Sequence, residues 1–198
     1  MGRNRSFDDD DVLDRAMHAF RRHGYAGLSI KRLEEETGLS SGSLYNAYGD
    51  KAGLYRAAMA SYIDGFVAGR IKAHAGPVAG LDDLEELFLS LFREPLADGH
   101  GCLVTNAVLE FGGAGSSSDP DVAAEVDRAL DLVVSGMRAV LCREIGRERA
   151  GVEADRLFLL YQGILVLSRA GRLEKGFERA VRAQFDMLRR TRDASRAA

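Results

Sequence analysis

Residues 28–51, LSIKRLEEETGLSSGSLYNAYGDK, hold two short helical patterns on either side of the break Gly38-Leu39-Ser40. Ser29 takes the N-cap position of the first, Ile30 and Leu33 face inward, and Gly38 ends it. Ser40 caps the second, which carries Leu44, Tyr45 and Tyr48. Asp50 then caps a long helix from about Lys51 to His74, with Leu54, Tyr55, Ala58, Tyr62, Ile63 and Phe66 as its apolar stripe. Two short helices so separated form a helix-turn-helix signature, in which Leu33, Leu39 and Leu44 brace the second helix against the first.

Upstream, a helix starts near Ser6, where SFDD (6–9) forms a capping-box pattern and the acidic run suits the helix dipole, follows helical spacing through Val12, Leu13, Ala16, Met17 and Phe20, and stops at Gly24. Downstream, HAGPVAG (74–80) reads as a linker. Leu81, Leu84, Leu87, Phe88, Leu91 and Phe92 make a helix ending near Pro95, and CLVTNAVLEF (102–111) makes a shorter one. The loop GGAGSSSDP (112–120) leads into a long helix reaching Ile145, and two more follow at about 153–170 and 173–190. No strand alternation is visible. The expected fold is all-α: an N-terminal three-helix helix-turn-helix domain over residues 6–66, motif at about 29–48, and a larger C-terminal helical bundle over 75–198.

The 198 residues are 46% hydrophobic and 29% charged, enough apolar material for a sizeable core. The run Asp8–Asp11 stands where a signal peptide needs apolar residues, and LFLLYQGILVL (157–167), broken by Gln162, is too short for a membrane span. Cys102 and Cys142 read as reduced thiols of a cytoplasm. His18, His23, His74 and His100 lack metal-ligand spacing, and GGAGSSS lacks the Lys-Ser/Thr ending of a phosphate loop, so no metal, cofactor or catalytic residue is expected. Net charge is −3, and residues 1–60 carry nine Lys/Arg against nine Asp/Glu, so any nucleic-acid binding must come from local placement.

Local placement favours DNA. A helix-turn-helix projects the start of its second helix into the major groove. Here those residues are Ser41, Gly42 and Ser43, small enough for close backbone approach. Tyr45 brings a hydroxyl for a phosphate and a ring for a thymine methyl, and Asn46 suits a base edge or a phosphate. Lys51 opposes the dipole of the helix it starts, a conflict that a bound phosphate would remove. Ser29 and Lys31 begin the bracing helix, where the DNA backbone crosses. Arg3 and Arg5 are candidates for a basic arm, and Tyr48, four residues after Leu44, leans toward the inner face.

GLSIKRLEEETGLSSGSLYNAYGDKAGLY (27–55), with VLDRAMHAFRRHGY (12–25) ahead of it, resembles the N-terminal domain of the tetracycline-repressor (TetR) family of bacterial transcription regulators. The match runs from about Asp11 to Ser61 and departs from the family at Gly49, where many members carry an aromatic residue. The resemblance implies an allosteric homodimer that binds a pseudo-palindromic double-stranded operator and releases it when a small-molecule effector enters the C-terminal domain, with repression as the default. It implies DNA contacts at Ser29, Lys31, Ser41, Gly42, Ser43, Tyr45, Asn46, Tyr48 and Lys51. Candidate pocket residues are Phe88, Phe92, Asn106, Phe111, Met137, Phe158, Tyr161 and Gln162. In the family the last two helices form a four-helix dimer interface. Here their stripes are Leu157, Leu160, Ile164 and Leu167, then Phe177, Val181, Phe185 and Leu188. Two other readings stay open: an electrophile or oxidant sensor of the same fold using Cys102, and a helical scaffold that has lost DNA binding.

Overall fold

The computed structural model describes residues 8–112, 119–174 and 176–197. Helix α1 (Asp9–His23) is capped by Asp8, whose carboxylate accepts the Asp10 amide; three aspartates occupy its first turn and Arg21, Arg22 and His23 its last. The cap is thus Asp8 rather than Ser6, which lies outside the described residues together with Arg3 and Arg5. Helices α2 (Ile30–Thr37) and α3 (Ser41–Tyr48) are capped by the side chains of Ser29 and Ser40. Asp50 caps α4 (Lys51–Tyr62) through the Gly53 amide at 2.7 Å.

The expected single helix to His74 is instead α4, a π-helical turn over Ile63–Val67, and α5 (Ala68–Ala75). One wider turn leaves the apolar stripe readable, so spacing alone does not reveal it. Then come α6 (Leu81–Leu89), a 3-10 turn (Ser90–Phe92) that closes it short of Pro95, and α7 (Leu103–Phe111). Helix α8 (Pro120–Ile145) starts under an Asp119 cap; most of the loop before it lies outside the described residues. Helix α9 (Arg147–Arg169) begins a turn and a half earlier than its apolar pattern predicts, and α10 (Gly176–Ala197) ends two turns later, because polar helix ends carry no stripe.

Among the described residues there is no strand, and no helix is long and apolar enough to cross a membrane. One apolar core runs the length of the molecule. It starts at Phe20, Leu33 and Leu44 in the head, continues through Tyr55 and Ile63, and ends at Phe88, Leu141 and Phe185 in the bundle. Helices α8 and α9 pair along their length, α1 packs on α4, and α10 covers α6.

Candidate nucleic-acid interface and regulatory cavity

The helix-turn-helix is held from inside and open outside. Leu33 and Leu44 are buried, and Thr37, also buried, donates its hydroxyl to Leu33 O at 2.6 Å. Gly38 takes the left-handed conformation that ends α2. The Glu34 carboxylate reaches across the turn to accept the Ser41 amide at the start of α3, and that bond holds its pKa below the usual carboxylate range. Ser40 and Ser43 share a hydroxyl contact at 3.1 Å.

On the outer surface lie Ser29, Lys31, Gly42, Tyr45 and Asn46, with Ser41 and Ser43 partly covered. Tyr45 is 47% exposed, the one large ring displayed by the head among the described residues. A Cβ on Gly42 would meet nothing within 4 Å. Lys31 has no carboxylate within 4 Å among the described residues, whereas its neighbour Arg32 is spent on Glu35 and Glu36. Tyr48 turns the other way: its hydroxyl donates to Asp9 at 3.2 Å, tying α3 to α1. Lys51 also differs from the expectation. Its ammonium stands 4.3 Å over the Tyr25 ring, where burial lowers its pKa and Glu110 opposes that shift. The lysine sits at the seam between head and bundle. Gly49, the family departure, has φ +82 and closes α3 through its amide to Tyr45 O, a backbone that L side chains rarely adopt.

In the bundle, a narrow cavity lies between α4–α5, α7, α8 and α9. Its polar groups are Tyr62, Arg70, Cys102, Thr105, Tyr161 and Gln162 on otherwise apolar walls. Tyr62 donates to Cys102 Sγ at 3.5 Å, and Thr105 to Gln162 Oε1 at 3.0 Å. Burial pushes the Tyr62 hydroxyl well up, and that of Tyr161 up against the opposing charge of Arg70. Cys102 caps α7 and is buried in this wall.

Of the expected pocket residues, Tyr161 and Gln162 line the cavity. Phe158 faces an outer apolar groove that shares Thr105 and Gln162 with it. Phe88 and Met137 are fully buried, Phe88 packing edge-on to Tyr161 and Phe185. Phe92 is half-buried against the core, and Phe111 packs at a tilt against Tyr25 and Tyr55 at the head seam. Asn106 is bound to the carbonyls of His100 and Arg21. Sequence reasoning missed Arg70. The available signal was a cation four residues past Phe66 and eight past Tyr62, on the apolar stripe.

The expected dimer stripes lie mostly inside one chain. Leu157, Val181, Phe185, Leu188 and Ile164 are buried, while Leu160, Leu167 and Phe177 are half-buried. The strongest stripe of a bundle helix packs on its own core, so only its half-buried members keep surface open to a second copy. The outward face of α9 carries Val152, Leu159 and Val166 seven residues apart, with Met187 exposed on α10.

Known proteins agree with this geometry. The model of bacterial regulatory proteins of the tetR family matches residues 12–58. The uncharacterized HTH-type transcriptional regulator YezE of Bacillus subtilis (strain 168) is 33% identical over 113 residues, 56% of this chain and 58% of that protein. The HTH-type transcriptional repressor ComR of Escherichia coli (strain K12) is 45% identical over 67 residues, 34% of this chain and 32% of that protein. The chain thus spans less than two thirds of either curated relative. A TetR regulator from Legionella pneumophila shares the fold at TM-score 0.76 and 17% identity, over 93% of this chain and 98% of that one. CifR, a TetR family transcriptional regulator solved with 26-bp double-strand operator DNA, superposes at TM-score 0.75 and 25% identity, again over 93% and 98%. Residues 12–58 thus carry the DNA-binding-type head of the bacterial tetR family, and the chain as a whole shares the all-helical fold of TetR regulators over 93% of its length.

Proposed function

We propose that the protein is a sequence-specific transcriptional repressor that binds a pseudo-palindromic operator as a homodimer and lets go when a small molecule enters the bundle cavity. The observation that carries this reading is the outer face of α3. There an exposed tyrosine and Asn46 project beside an open glycine on a helix whose inner face is locked to α2 and α1. Ser41, Gly42 and Ser43 let the backbone approach the groove floor, Tyr45 and Asn46 contact base edges, and Ser29 and Lys31 contact phosphates. Lys51 meets a phosphate only by leaving the Tyr25 ring, which makes DNA contact sensitive to the seam beside Glu110. Two heads are needed because one recognition helix reads too few bases. Paired half-sites stand about 34–36 Å apart. The apolar outer faces of α9 and α10 supply the pairing surface. An effector acts by favouring the dimer geometry whose head spacing does not fit the operator, which requires unequal affinity for the two states.

The test is fluorescence anisotropy on DNA from the protein's own promoter region at about 50 and about 200 mM salt. Affinity should fall steeply between the two, by about a thousandfold if six or more phosphates are engaged. Tyr45→Ala should weaken operator binding at least about tenfold, as expected for losing a good base contact, with the thermal midpoint unchanged. A variant that retains operator affinity would overturn the assignment of α3 as the reading helix.

A further inference from the structure

The cavity holds a charge that no carboxylate among the described residues neutralises at ion-pair distance. Arg70 lies on α5, partly buried, with its Nη2 donating to Leu87 O at 3.0 Å and Ser90 Oγ at 2.8 Å. Its guanidinium also faces the Phe66 ring, 5.5 Å from the centroid, and its charge opposes the upward shift of the Tyr161 hydroxyl. All of these partners are neutral. Among the described residues no carboxylate stands within 4 Å of Arg70, and no Asp or Glu lines the cavity. Several arginines that bridge segments end on acids, Arg21 on Asp98, Arg128 on Asp64 and Arg189 on Glu85, whereas Arg143 and Arg169, like Arg70, end on neutral acceptors, but of these only Arg70 lines the cavity. A guanidinium has five N–H donors in a planar fork matched to a carboxylate. Neutral acceptors leave part of that fork unused and leave the charge uncompensated in a low-dielectric site.

The walls complete the description of what would fit. Tyr62 and Phe66 stack with centroids 5.1 Å apart at 21°, giving a flat apolar surface next to the cation. The π-helical turn Ile63–Val67 lies between Tyr62 and Arg70, a local departure from α geometry of the kind that shapes binding walls. The same two rings also border a separate groove toward α1, which is lined by Asp10 and Asp14 together with His18 and Arg21 and so is of mixed charge.

We propose that the bundle cavity takes a small organic acid, a carboxylate carried on an aromatic or compact apolar body, with Arg70 as its charge partner. This rests on the cavity being the effector site of the repressor proposed above. The carboxylate pairs with the free edge of the Arg70 fork, the apolar body lies against Tyr62 and Phe66, and Tyr161 and Gln162 offer further polar contacts.

The experiment is calorimetric titration of the full chain, without DNA, with benzoate and cyclohexanecarboxylate, set against benzamide and benzylamine. The acids should bind at least about tenfold more tightly than the neutral and cationic probes, as a charge-assisted pair requires. Arg70→Gln should lose that preference, and Arg70→Lys, which keeps the charge without the fork, should retain part of it. Both variants are checked for unchanged circular dichroism, and if Arg70→Gln does not fold the lysine variant and the probe series decide. Equal binding of benzoate and benzamide, benzoate binding untouched in a folded Arg70 variant, or no acid bound up to about 10 mM, an affinity below about 3 kcal/mol, would each overturn the proposal. Operator release is measured separately by anisotropy: acids that bind without releasing DNA leave the Arg70 site standing and remove the repressor-release reading instead.

Discussion

Gly24 is where the backbone of the head touches the bundle. Its φ is +73 with an extended ψ, a region open essentially to glycine, and a Cβ there would stand 2.8 Å from Glu110 Oε1. The same carboxylate accepts the Tyr25 amide at 2.6 Å and the Ala26 amide at 3.3 Å, so α7 holds the turn after α1. Gly24→Ala is expected to cost about 1–3 kcal/mol from the backbone alone, read by urea unfolding. A loss within about 0.5 kcal/mol, the range of ordinary surface substitutions, would mean that Glu110 turns aside freely. The glycine was legible in the sequence as a helix stop, because a stop is local. The acid 86 residues later was not, because nothing in the spacing of Gly24 and Glu110 links them.

The helix-turn-helix keeps its angle through capping groups as well as through Leu33 and Leu44. Ser29, Ser40 and Asp50 cap α2, α3 and α4, and all three were readable because a cap bonds an amide two or three residues ahead. Glu34 adds a bond that crosses the turn, to the Ser41 amide, and its folded pKa is depressed as a result. A depressed carboxylate stabilises fully above its unfolded value of about 4.3 and loses that contribution as pH falls through the lower folded value. Glu34→Gln should therefore lower the thermal midpoint at pH 7, and the gap from the parent should narrow as pH drops below about 4. A gap that stays constant across that range would show that the carboxylate charge is not what the turn uses. The same element contains the reverse lesson. The stripe Leu54–Phe66 predicted a helix correctly but not its π turn, since one inserted residue per turn hardly disturbs a five-residue run.

Head and bundle are fastened by a buried arginine. Arg21 is 2% exposed and donates to Gly101 O at 2.9 and 2.7 Å and to Pro95 O at 3.0 Å, and it pairs with Asp98 at 3.1 Å. Arg169, at the end of α9, returns the contact by donating to Arg21 O at 2.9 Å and His100 O at 3.3 Å. Helix α1 of the head, the segment ahead of α7 and the end of α9 thus meet at one point, next to the cavity. Removing one partner of such a buried set leaves acceptors and a carboxylate unpaired, so Arg21→Met should cost about 3–5 kcal/mol, measured by denaturant unfolding; a loss under about 1 kcal/mol, that of a surface ion pair, would contradict it. For the assembly, Leu159 is 72% exposed at the centre of the outer α9 face. Leu159→Glu should convert the proposed dimer to a monomer by light scattering while circular dichroism is unchanged, since the side chain is exposed in one chain. A variant that remains dimeric would move the interface elsewhere.

Amino-acid order alone settled the all-α class, the three capped helices of the head and the turn between them, because capping, glycine stops and i, i+4 stripes act over a few residues. It also located α9 and α10 as amphipathic, yet an amphipathic stripe says that a face is covered without saying by what. Folding assigned Leu157, Val181 and Phe185 to the interior of one chain and left Val152, Leu159 and Val166 outside. It likewise brought Arg70 to Tyr161, 91 residues away, and Arg21 to Gly101, 80 residues away. Such pairings depend on how ridges of different helices interdigitate, a property of the packed molecule that no window of sequence contains.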